Sequence, residues 1–248
     1  MKKLNILSAA LAIFAAATIS SCSSISDQEY EINGVKFKMI AVEGGSFMMG
    51  ATPGQGKDAR ENEKPAHKVT VDDFLIGETE VTQELWFAVM GNNPSYFKNG
   101  EGNLPVENVS WNDVQEFIIK LNKITSLQFR LPFEAEWEYA ARGGAKSSDY
   151  KYAGSVTIDD VAWHTGNSEN STHPVASKQA NELGLFDMSG NVWELCYDWS
   201  AKYDENLCNM RGGSFQNLPS LMRVSFRFLY PISQHVPNIG FRIALSTH

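Results

Sequence analysis

Residues Arg211–Leu245 read "RGGSFQNLPSLMRVSFRFLYPISQHVPNIGFRIAL", a stretch whose ends and middle differ in character. The two ends, Arg211–Phe215 and Gly240–Leu245, are strand-like phrases beside glycine, which permits close backbone approach or a positive φ next to a strand. The middle mixes aromatic and aliphatic side chains with prolines in neither a helical nor a strand period. The ends therefore predict a framework, and the middle predicts an irregular segment that serves as an active site, a binding surface or core.

Upstream of this stretch, hydrophobic alternation predicts further strands. The phrases "FKMIAVEGGSFMMG" (37–50) and "HKVTVDDFLIGETEVT" (67–82) alternate with a period of two and contain glycine at their turns. Between residues 143 and 183 the chain is rich in Gly, Ser, Asn and Thr, which predicts long loops held by polar side chains. Strands and turns resume in "GLFDMSGNVWELCYDW" (184–199).

Capping residues mark three helices. Thr82 and Ser110 are preferred N-cap residues, and each stands ahead of an amphipathic run. Pro132 begins a third, shorter helix that the pair Gly143–Gly144 ends. Residues two apart on a helix do not share a face, so we expect the glutamates of this helix to bond to nearby backbone or to Arg142 rather than to form an acid/base pair. These glutamates are Glu134, Glu136 and Glu138.

The N-terminus has the pattern of a bacterial lipoprotein signal. Lys2 and Lys3 precede an apolar run, Leu4–Ile19, that is shorter than the roughly 20 residues of a membrane-spanning helix, and small residues come directly before Cys22. The alternative is an ordinary cleaved signal with a cysteine that carries no lipid. We expect a protein of the bacterial cell envelope, periplasmic or cell-surface, anchored to the membrane through Cys22. Its parts are a signal peptide (residues 1–21), a lipidated tether (22–30) and one folded domain (31–248).

Charge and cysteine content narrow the classes of partner. The chain has 21 Lys and Arg against 29 Asp and Glu, and removal of the two signal lysines leaves 19, for a net charge of about −10. Such a charge disfavours polyanions, so we expect no nucleic-acid partner. After Cys22 only Cys196 and Cys208 remain. An oxidising compartment could join them, but spacing alone does not show whether their side chains face each other.

Several phrases, in order along the chain, resemble the formylglycine-generating enzyme (sulfatase-modifying factor) family. No single phrase carries the resemblance, and the spacing between them fits as well. The phrases are "GGSFMMG" (44–50), "PVENVSWNDVQEF" (105–117), "RLPFEAEWEYAARGG" (130–144), "LGLFDMSGNVWEL" (183–195), "RGGSF" (211–215) and "GFRIA" (240–244). The resemblance implies an α+β fold, the family's variant of the C-type lectin fold. That fold has little regular secondary structure, a small antiparallel sheet, two main helices and long loops.

The resemblance also implies a structural calcium ion. Members of the family bind calcium through the positions that match Asp187, Gly190, Val192 and Glu194. The first and last of these have side-chain oxygens here, and a turn can offer carbonyl oxygens, which are the ligands that a hard cation prefers. The alternative is a carboxylate that merely caps a turn. We expect calcium in a structural role.

The family's reaction is the oxidation of a sulfatase cysteine to formylglycine, and two cysteines that bind copper carry it out. Monovalent copper is soft and needs thiolate ligands. The matching places after "GGSF" are occupied by Asn217 and Met222, and no cysteine follows Cys208. The sequence therefore argues against copper and against this reaction. It also shows no nucleophile with a neighbouring base in a recognisable context, so we assign no catalytic residue.

The same fold serves in bacterial and phage proteins whose C-terminal segment binds a ligand, in some cases after diversification by a retroelement. The middle of Arg211–Leu245 occupies that place, although Gln216 and Gln234 are not products of asparagine-codon diversification. The alternative is that part of the segment fills the core. We expect Val224 and Ile239 to point inward. The predicted ligand-binding residues are Phe215, Gln216, Asn217, Phe226, Phe228, Leu229, Tyr230, Ile232, Gln234, His235 and Asn238, of which Phe228, Leu229, Tyr230 and His235 are expected to face outward.

Three hypotheses of function remain from the sequence. The first is a lipid-anchored protein that binds a protein or glycan ligand through the C-terminal segment. The second is a formylglycine-generating oxidase with unrecognised chemistry. The third is a structural subunit of a surface assembly, such as the gliding or secretion lipoproteins that resemble this family.

Overall fold

A computed structural model describes residues 25–98, 103–199 and 206–247. Within these ranges the chain forms three sheets, three helices of two turns or more and one single-turn helix. The strands are β1 (Gln28–Ile32), β2 (Val35–Val42), β3 (Gly45–Met49), β4 (His67–Val71), β5 (Phe74–Gly77), β6 (Phe129–Arg130), β7 (Trp193–Trp199), β8 (Leu207–Arg211), β9 (Phe228–Pro231), β10 (Ile239–Gly240) and β11 (Ala244–Ser246). The helices are α1 (Gln83–Met90), α2 (Trp111–Thr125), α3 (Glu134–Ala141) and α4 (Ile158–Val161).

The largest sheet joins the two ends of the domain. Its strand order is β1-β2-β5-β11-β6, and every neighbouring pair is antiparallel. The C-terminal strand β11 lies near its centre, because Ala244 pairs with Ile76 of β5 on one side and with Arg130 of β6 on the other. The end of the "GFRIAL" phrase is therefore an interior strand of the largest sheet, which agrees with the prediction that this phrase belongs to the framework.

The second sheet has the order β10-β7-β8-β9 and supports the C-terminal segment. Strand β9 pairs antiparallel with β8, with Met210 opposite Phe228 and Leu207 opposite Pro231. Strand β10 pairs with β7 in the parallel direction, with Ile239 opposite Trp193. The segment thus leaves the sheet after β8, returns as β9, leaves again and returns as β10. Strands β3 and β4 form the third sheet.

The predicted helices α1 and α2 are confirmed, together with their caps. The Leu85 N–H donates to Thr82 Oγ1 at 3.1 Å, and Gly91 ends α1 with a φ of 77°. Ser110 and Asp113 form a capping box at the start of α2. The two helices pack together through Trp86 and Phe117, whose rings stack at a centroid distance of 5.2 Å.

The two cysteines are free thiols in different hydrophobic clusters. Cys208 lies in the main cluster, among the side chains of α1, α2 and the second sheet, whereas Cys196 lies in a second cluster around Trp137 of α3. The disulfide that the sequence left open is not formed in this structure, because the side chains are buried in separate parts of the core.

The α+β class is confirmed, with the strands divided among three sheets. Strand β1 begins at Gln28, three residues before the expected start of the folded domain at residue 31, and its Tyr30 ring stacks on Phe37 at 5.4 Å. The long loops over 143–183 are confirmed, with α4 as a short interruption.

The signal peptide and Cys22 lie outside the described residues. Among the helices that the structure describes, none is long and apolar enough to cross a membrane.

Candidate functional site

Arg211 of the "RGGSF" phrase is a buried guanidinium that organises the chain after it. It ends β8 and has no exposed surface. Its Nη1 donates to the carbonyl oxygens of Ser225 and Phe226 at 2.9 Å each, and its Nη2 donates to the carbonyl of Val224 at 3.1 Å. Nη2 also donates to the carboxylate of Glu138 on α3. Because one side chain binds three successive carbonyls, it holds the backbone that leads into β9.

Arg242 of the "GFR" phrase is a second buried guanidinium, which binds a carboxylate and a backbone carbonyl at the other end of the segment. Its Nε and Nη2 each donate to one carboxylate oxygen of Glu194 at 2.6 Å, and its Nη1 donates to the carbonyl of Gly77 at 2.9 Å. Trp137 Nε1 donates to Glu194 Oε2 at 2.6 Å. Arg242 and Glu194 are both fully buried, so this is a bidentate, charge-assisted pair without solvent screening.

A third buried pair holds the middle of the segment to the N-terminal half of the domain. Arg223 Nη1 and Nη2 donate to the two carboxylate oxygens of Glu63 at 2.6 Å, and Ser225 Oγ donates to Glu63 Oε2 at 2.5 Å. Burial alone would raise the pKa of Glu63, but hydrogen bonds from Arg223, the Arg60 backbone and Ser225 outweigh it and lower that pKa. The carboxylate is therefore held in its charged form.

The two positions that match the family's copper ligands have structural roles in this chain. Asn217 Oδ1 accepts hydrogen bonds from Ser214 N at 2.9 Å and Ser214 Oγ at 2.8 Å, and the Asn217 carbonyl accepts one from Thr165 N at 3.1 Å. Met222 is fully buried against Tyr152 and Val161. Neither side chain offers a thiolate, so the residues present at these positions do not fit copper.

The free cysteines do not replace the missing ligands. Burial raises the pKa of Cys208 to about 12, and burial together with the charge of Glu134 raises the pKa of Cys196 well above its usual value. Both thiols are therefore protonated at neutral pH and have no exposed surface.

The predicted ligand-binding residues divide between surface and core. Phe215 and Phe226 are buried, at 0 % and 1 % exposure, and pack against Phe97 and Trp193 respectively, so the structure places them in the core and not on the surface where a ligand was expected. The inward positions of Val224 and Ile239 are confirmed. We call the remaining residues, all exposed or half-buried, the C-terminal surface: Gln216, Asn217, Phe228, Leu229, Tyr230, Ile232, Gln234, His235 and Asn238.

Within the C-terminal surface, exposure varies. Phe228, Gln216, Gln234 and His235 are exposed, as expected for Phe228 and His235. Leu229 and Tyr230, which were also expected to face outward, are half-buried. Tyr230 of the edge strand β9 and the following Ile232 pack against the main hydrophobic cluster, to which Cys208 and Met210 of the neighbouring strand β8 belong.

Hydrogen bonds attach the loop of the C-terminal surface to the start of α2. The Trp111 N–H donates to the carbonyl of Ile232 at 3.0 Å, and the Asn108 N–H donates to the carbonyl of Val236 at 3.1 Å. His235 Nε2 lies 2.6 Å from Asp113 Oδ2. The loop is therefore fixed by its backbone, while Ser233 and Gln234 between these anchors are exposed to solvent.

The sequence did not predict Tyr96, an aromatic residue beside this surface. Tyr96 is 72 % exposed, and its ring packs edge-on against Phe97, which in turn packs edge-on against Phe215. Glu107 lies under the loop that contains Tyr96 and Phe97, and it accepts a hydrogen bond from the Phe97 N–H at 2.9 Å. Burial raises the pKa of Glu107 to about 7. The acid between the apolar residues Val106 and Val109 of the phrase "PVENV" was the available signal.

The predicted calcium ligands fit only in part. Asp187 is 2 % exposed and its Oδ1 has no hydrogen-bond partner, so it has an oxygen to offer. Both carboxylate oxygens of Glu194 are already bound by Arg242 and Trp137, so the prediction of Glu194 as a ligand does not agree with the structure. Within the described ranges, no three side chains of His, Cys, Asp or Glu are grouped to hold a metal. Gly190 and Val192 would contribute only backbone carbonyls.

Comparison with known proteins agrees with these observations. Residues 29–247 match the family described as sulfatase-modifying factor enzyme 1-like domain. The chain is 33 % identical to chaperone protein LppX of Paenibacillus barcinonensis, in an alignment that covers 95 % of this chain and 97 % of that one. It is 30 % identical to the formylglycine-generating enzyme of Streptomyces coelicolor, in an alignment that covers 83 % of this chain and 88 % of the enzyme.

Among solved structures, Treponema denticola variable protein 1 superimposes with a TM-score of 0.79 and 32 % identity, over 88 % of this chain and 98 % of that protein. The expected formylglycine-generating-enzyme-like variant of the C-type lectin fold is thereby confirmed.

Proposed function

We propose that this chain, which belongs to the sulfatase-modifying factor enzyme 1-like domain family, is a cell-envelope lipoprotein that binds a protein or glycan through its C-terminal surface and does not oxidise cysteine. The observation that carries the proposal is the commitment of Asn217 and Met222 to structural contacts, where the family's reaction needs two thiolates.

The binding half of the proposal is supported by the form of the C-terminal surface. Its backbone is held by Arg211, Arg223 and the start of α2, so little conformational entropy is lost when its side chains meet a partner. Exposed Phe228, with Tyr96 beside the surface, offers aromatic contact area, and Gln216 and Gln234 offer amide hydrogen bonds. This composition is typical of binding loops.

The catalytic half is tested with the full chain, monovalent copper, oxygen and a sulfatase-type Cys-x-Pro-x-Arg peptide. We expect no conversion of the peptide cysteine to formylglycine by mass spectrometry, because no thiolate pair exists to hold the copper. A double variant, Asn217→Cys with Met222→Cys, is the informative control. Conversion by the unaltered chain would contradict the proposal and restore the oxidase hypothesis.

The binding half is tested by site-specific photo-crosslinking in intact cells. A photo-reactive amino acid replaces Gln234 in one strain and Val156 in another, since Val156 is 68 % exposed but lies in a separate turn. We expect a defined adduct from position 234 and none from position 156. Adduct formation should fall when Phe228→Ala and Gln216→Ala are added. Equal crosslinking from both positions would contradict a role for the C-terminal surface.

A second candidate function, binding of unfolded client proteins, is favoured by the similarity to chaperone protein LppX, which extends over nearly the whole of both chains. Exposed Phe228 and Leu218, the latter 62 % exposed, are suitable apolar contacts for such clients. The full chain should then suppress light scattering by a heat-unfolded client, and Phe228→Ser with Leu218→Ser should weaken this effect. Absence of suppression at equimolar concentration would reject this candidate.

The envelope location rests on the sequence of residues 1–22. Cys22→Ser should move the protein from the membrane fraction to the soluble fraction if the cysteine carries the lipid. Stoichiometric membrane partners that co-purify with the unaltered chain would instead favour a subunit of a surface assembly. Retroelement diversification stays a prediction, to be checked by searching the gene's surroundings for a near-repeat of the segment encoding residues 211–242.

A further inference from the structure

A cleft lies where the second and third sheets contact the start of α3. Its volume is about 820 Å³, which is within the range of about 300–1,000 Å³ that is typical of small-ligand sites. Its lining includes Met49 and Val69 of the third sheet, Asp198 and Leu229 of the second, and Glu134, the first residue of α3. Of the C-terminal surface, Leu229 alone belongs to this lining, so the cleft is a separate feature of the molecule.

Acidic side chains outnumber basic ones in the cleft. The acids are Glu61, Glu63, Glu134, Glu138 and Asp198, and the bases are Lys64, His67 and Arg227. Three of the acids have cations of their own: Glu61 pairs with Lys64, Glu63 with Arg223, and Glu138 with both Arg142 and Arg211. The two that remain to be explained are Glu134 and Asp198.

Glu134 is a buried carboxylate with one oxygen left over. It is 5 % exposed, and its Oε2 accepts a hydrogen bond from Nη2 of Arg227. Its Oε1 has no hydrogen-bond partner among the described residues. Arg211 Nη1 lies 3.7 Å from this oxygen, but it already donates to the carbonyls of Ser225 and Phe226. Burial raises the pKa of Glu134 in spite of the two arginines. The oxygen therefore lacks a donor that the chain itself can supply.

Asp198 lies at the same end of the cleft. Its Oδ2 accepts the backbone N–H of Glu134, so this contact holds the Asp198 carboxylate against the first residue of α3. The ion pairs of this neighbourhood join arginines to Glu134, Glu136 and Glu138, and none within the described ranges includes Asp198. Burial raises the pKa of Asp198, and the charge of Glu136 adds to that shift. Two carboxylates thus stand together with less positive charge than they need.

The shape and the walls of the cleft favour an organic cation over a metal ion. In the part of the chain that the structure describes, these acids are not grouped closely enough with a third ligand to hold a metal. Beyond the two carboxylates, the lining is apolar at Met49, Val69 and Leu229. A long basic side chain has this same division, because a methylene stem leads to a charged end that carries several N–H donors.

We propose that this cleft binds a primary ammonium or guanidinium group, with the charge at Glu134 and Asp198 and the methylene stem along Met49, Val69 and Leu229. The N–H donors of such a group satisfy Glu134 Oε1 by a charge-assisted hydrogen bond. The site goes beyond the function proposed above, since it does not depend on binding by the C-terminal surface. A Lys or Arg side chain of another protein and a free amine are the two sources of such a group.

The test titrates the full chain in detergent with defined probes and follows binding by ligand-observed NMR. The probes are a blocked five-residue glycine peptide with a central lysine, the same peptide with norleucine, and n-butylammonium. We expect saturable binding of the lysine peptide and none of the norleucine peptide, because only the ammonium differs. Tighter binding of the lysine peptide than of n-butylammonium supports the site with a protein as the source, and equal binding supports it with a free amine.

Four variants locate the binding. Glu134→Gln and Asp198→Asn keep the shape of each side chain and should each weaken binding of the lysine peptide about tenfold. Glu61→Gln is the matched control, because this acid lines the same cleft but is 93 % exposed and should change affinity by less than about twofold. Ala135→Leu fills the cleft from α3 without a change of charge and should abolish binding.

Circular dichroism of each variant checks the fold, and Ala135→Leu decides the question if a charge variant does not fold. The proposal is overturned if the unaltered chain does not bind the lysine peptide, if the norleucine peptide binds equally well, or if folded Glu134→Gln and Asp198→Asn bind with undiminished affinity. None of these results bears on crosslinking from position 234, so failure of this site is distinguishable from failure of the proposed function.

Discussion

The ends and the middle of Arg211–Leu245 differ in what surrounds their polar side chains. At the ends, Arg211 and Arg242 are fully buried, and each is held by a carboxylate and by backbone carbonyls from distant segments. In the middle, Gln216, Gln234 and His235 face solvent with few protein contacts. The arginines at the ends are thus part of the buried framework, whereas the exposed side chains of the middle make few contacts on which the fold depends.

This difference has an energetic basis. A buried guanidinium that loses its carboxylate leaves an uncompensated charge, and nothing nearby can replace the partner. An exposed glutamine that is removed leaves water in its place. Substitutions of the buried arginines at the ends should therefore affect folding, and substitutions of the exposed side chains in the middle should affect binding far more than stability.

The largest effect is expected from Arg242→Met. The change leaves Glu194 buried without its counter-charge, so the free energy of unfolding should fall by about 3–5 kcal/mol, measured by urea denaturation. A double variant, Arg242→Met with Glu194→Leu, should recover part of the loss, because the orphaned charge is removed as well. No recovery in the double variant would show that packing, not charge, is what Arg242 provides.

Glu63→Gln should have the next largest effect, about 3 kcal/mol, because it leaves Arg223 buried and unpaired. The folded-state pKa of Glu63 is lowered, so its contribution is present above the unfolded value of 4.5 and is lost as the pH falls through the lower folded value. The unaltered chain should therefore lose stability in acid more steeply than Glu63→Gln does. Parallel acid profiles for the two proteins would be inconsistent with this pairing.

Glu107 should give a pH dependence of opposite sign. Its pKa is raised from 4.5 to about 7, so the folded state binds the proton more tightly, and stability should decline between pH 4.5 and 7 and then level off. Glu107→Gln should remove this decline, which is on the order of 1–3 kcal/mol. The measurement is urea denaturation at several pH values. A decline that persists in the variant must come from other groups.

The smallest effects are expected in the C-terminal surface. Gln234→Ala should change the free energy of unfolding by less than about 0.5 kcal/mol, and His235→Ala, which removes an exposed pair with Asp113, by about 0.2–1 kcal/mol. His235→Ala should nevertheless reduce crosslinking from position 234, and Gln234→Ala should weaken binding of the partner. A loss of stability comparable to that of Arg242→Met would place these residues in the framework and end the distinction between ends and middle.

Much of the fold could be predicted because its signals are local. The N-caps Thr82 and Ser110 were recognisable because each bonds to the backbone three residues away.

The candidate site was less predictable. Phe215 and Phe226 have the same chemistry as exposed Phe228, and alternation within an irregular segment does not reveal which face is buried. Tyr96 was missed because its position depends on the contact between Phe97 and Phe215, two residues that are far apart in the sequence.

The sequence by itself determined the family, the caps of the helices and the lack of cysteines after Cys208, because each depends on residues that are near one another in the chain or on composition. The tertiary structure decided which carboxylates are paired. Glu194 meets Arg242 across 48 residues, and Glu63 meets Arg223 across 160. Electrostatic partnership depends on distance in space, and only the folded chain sets that distance.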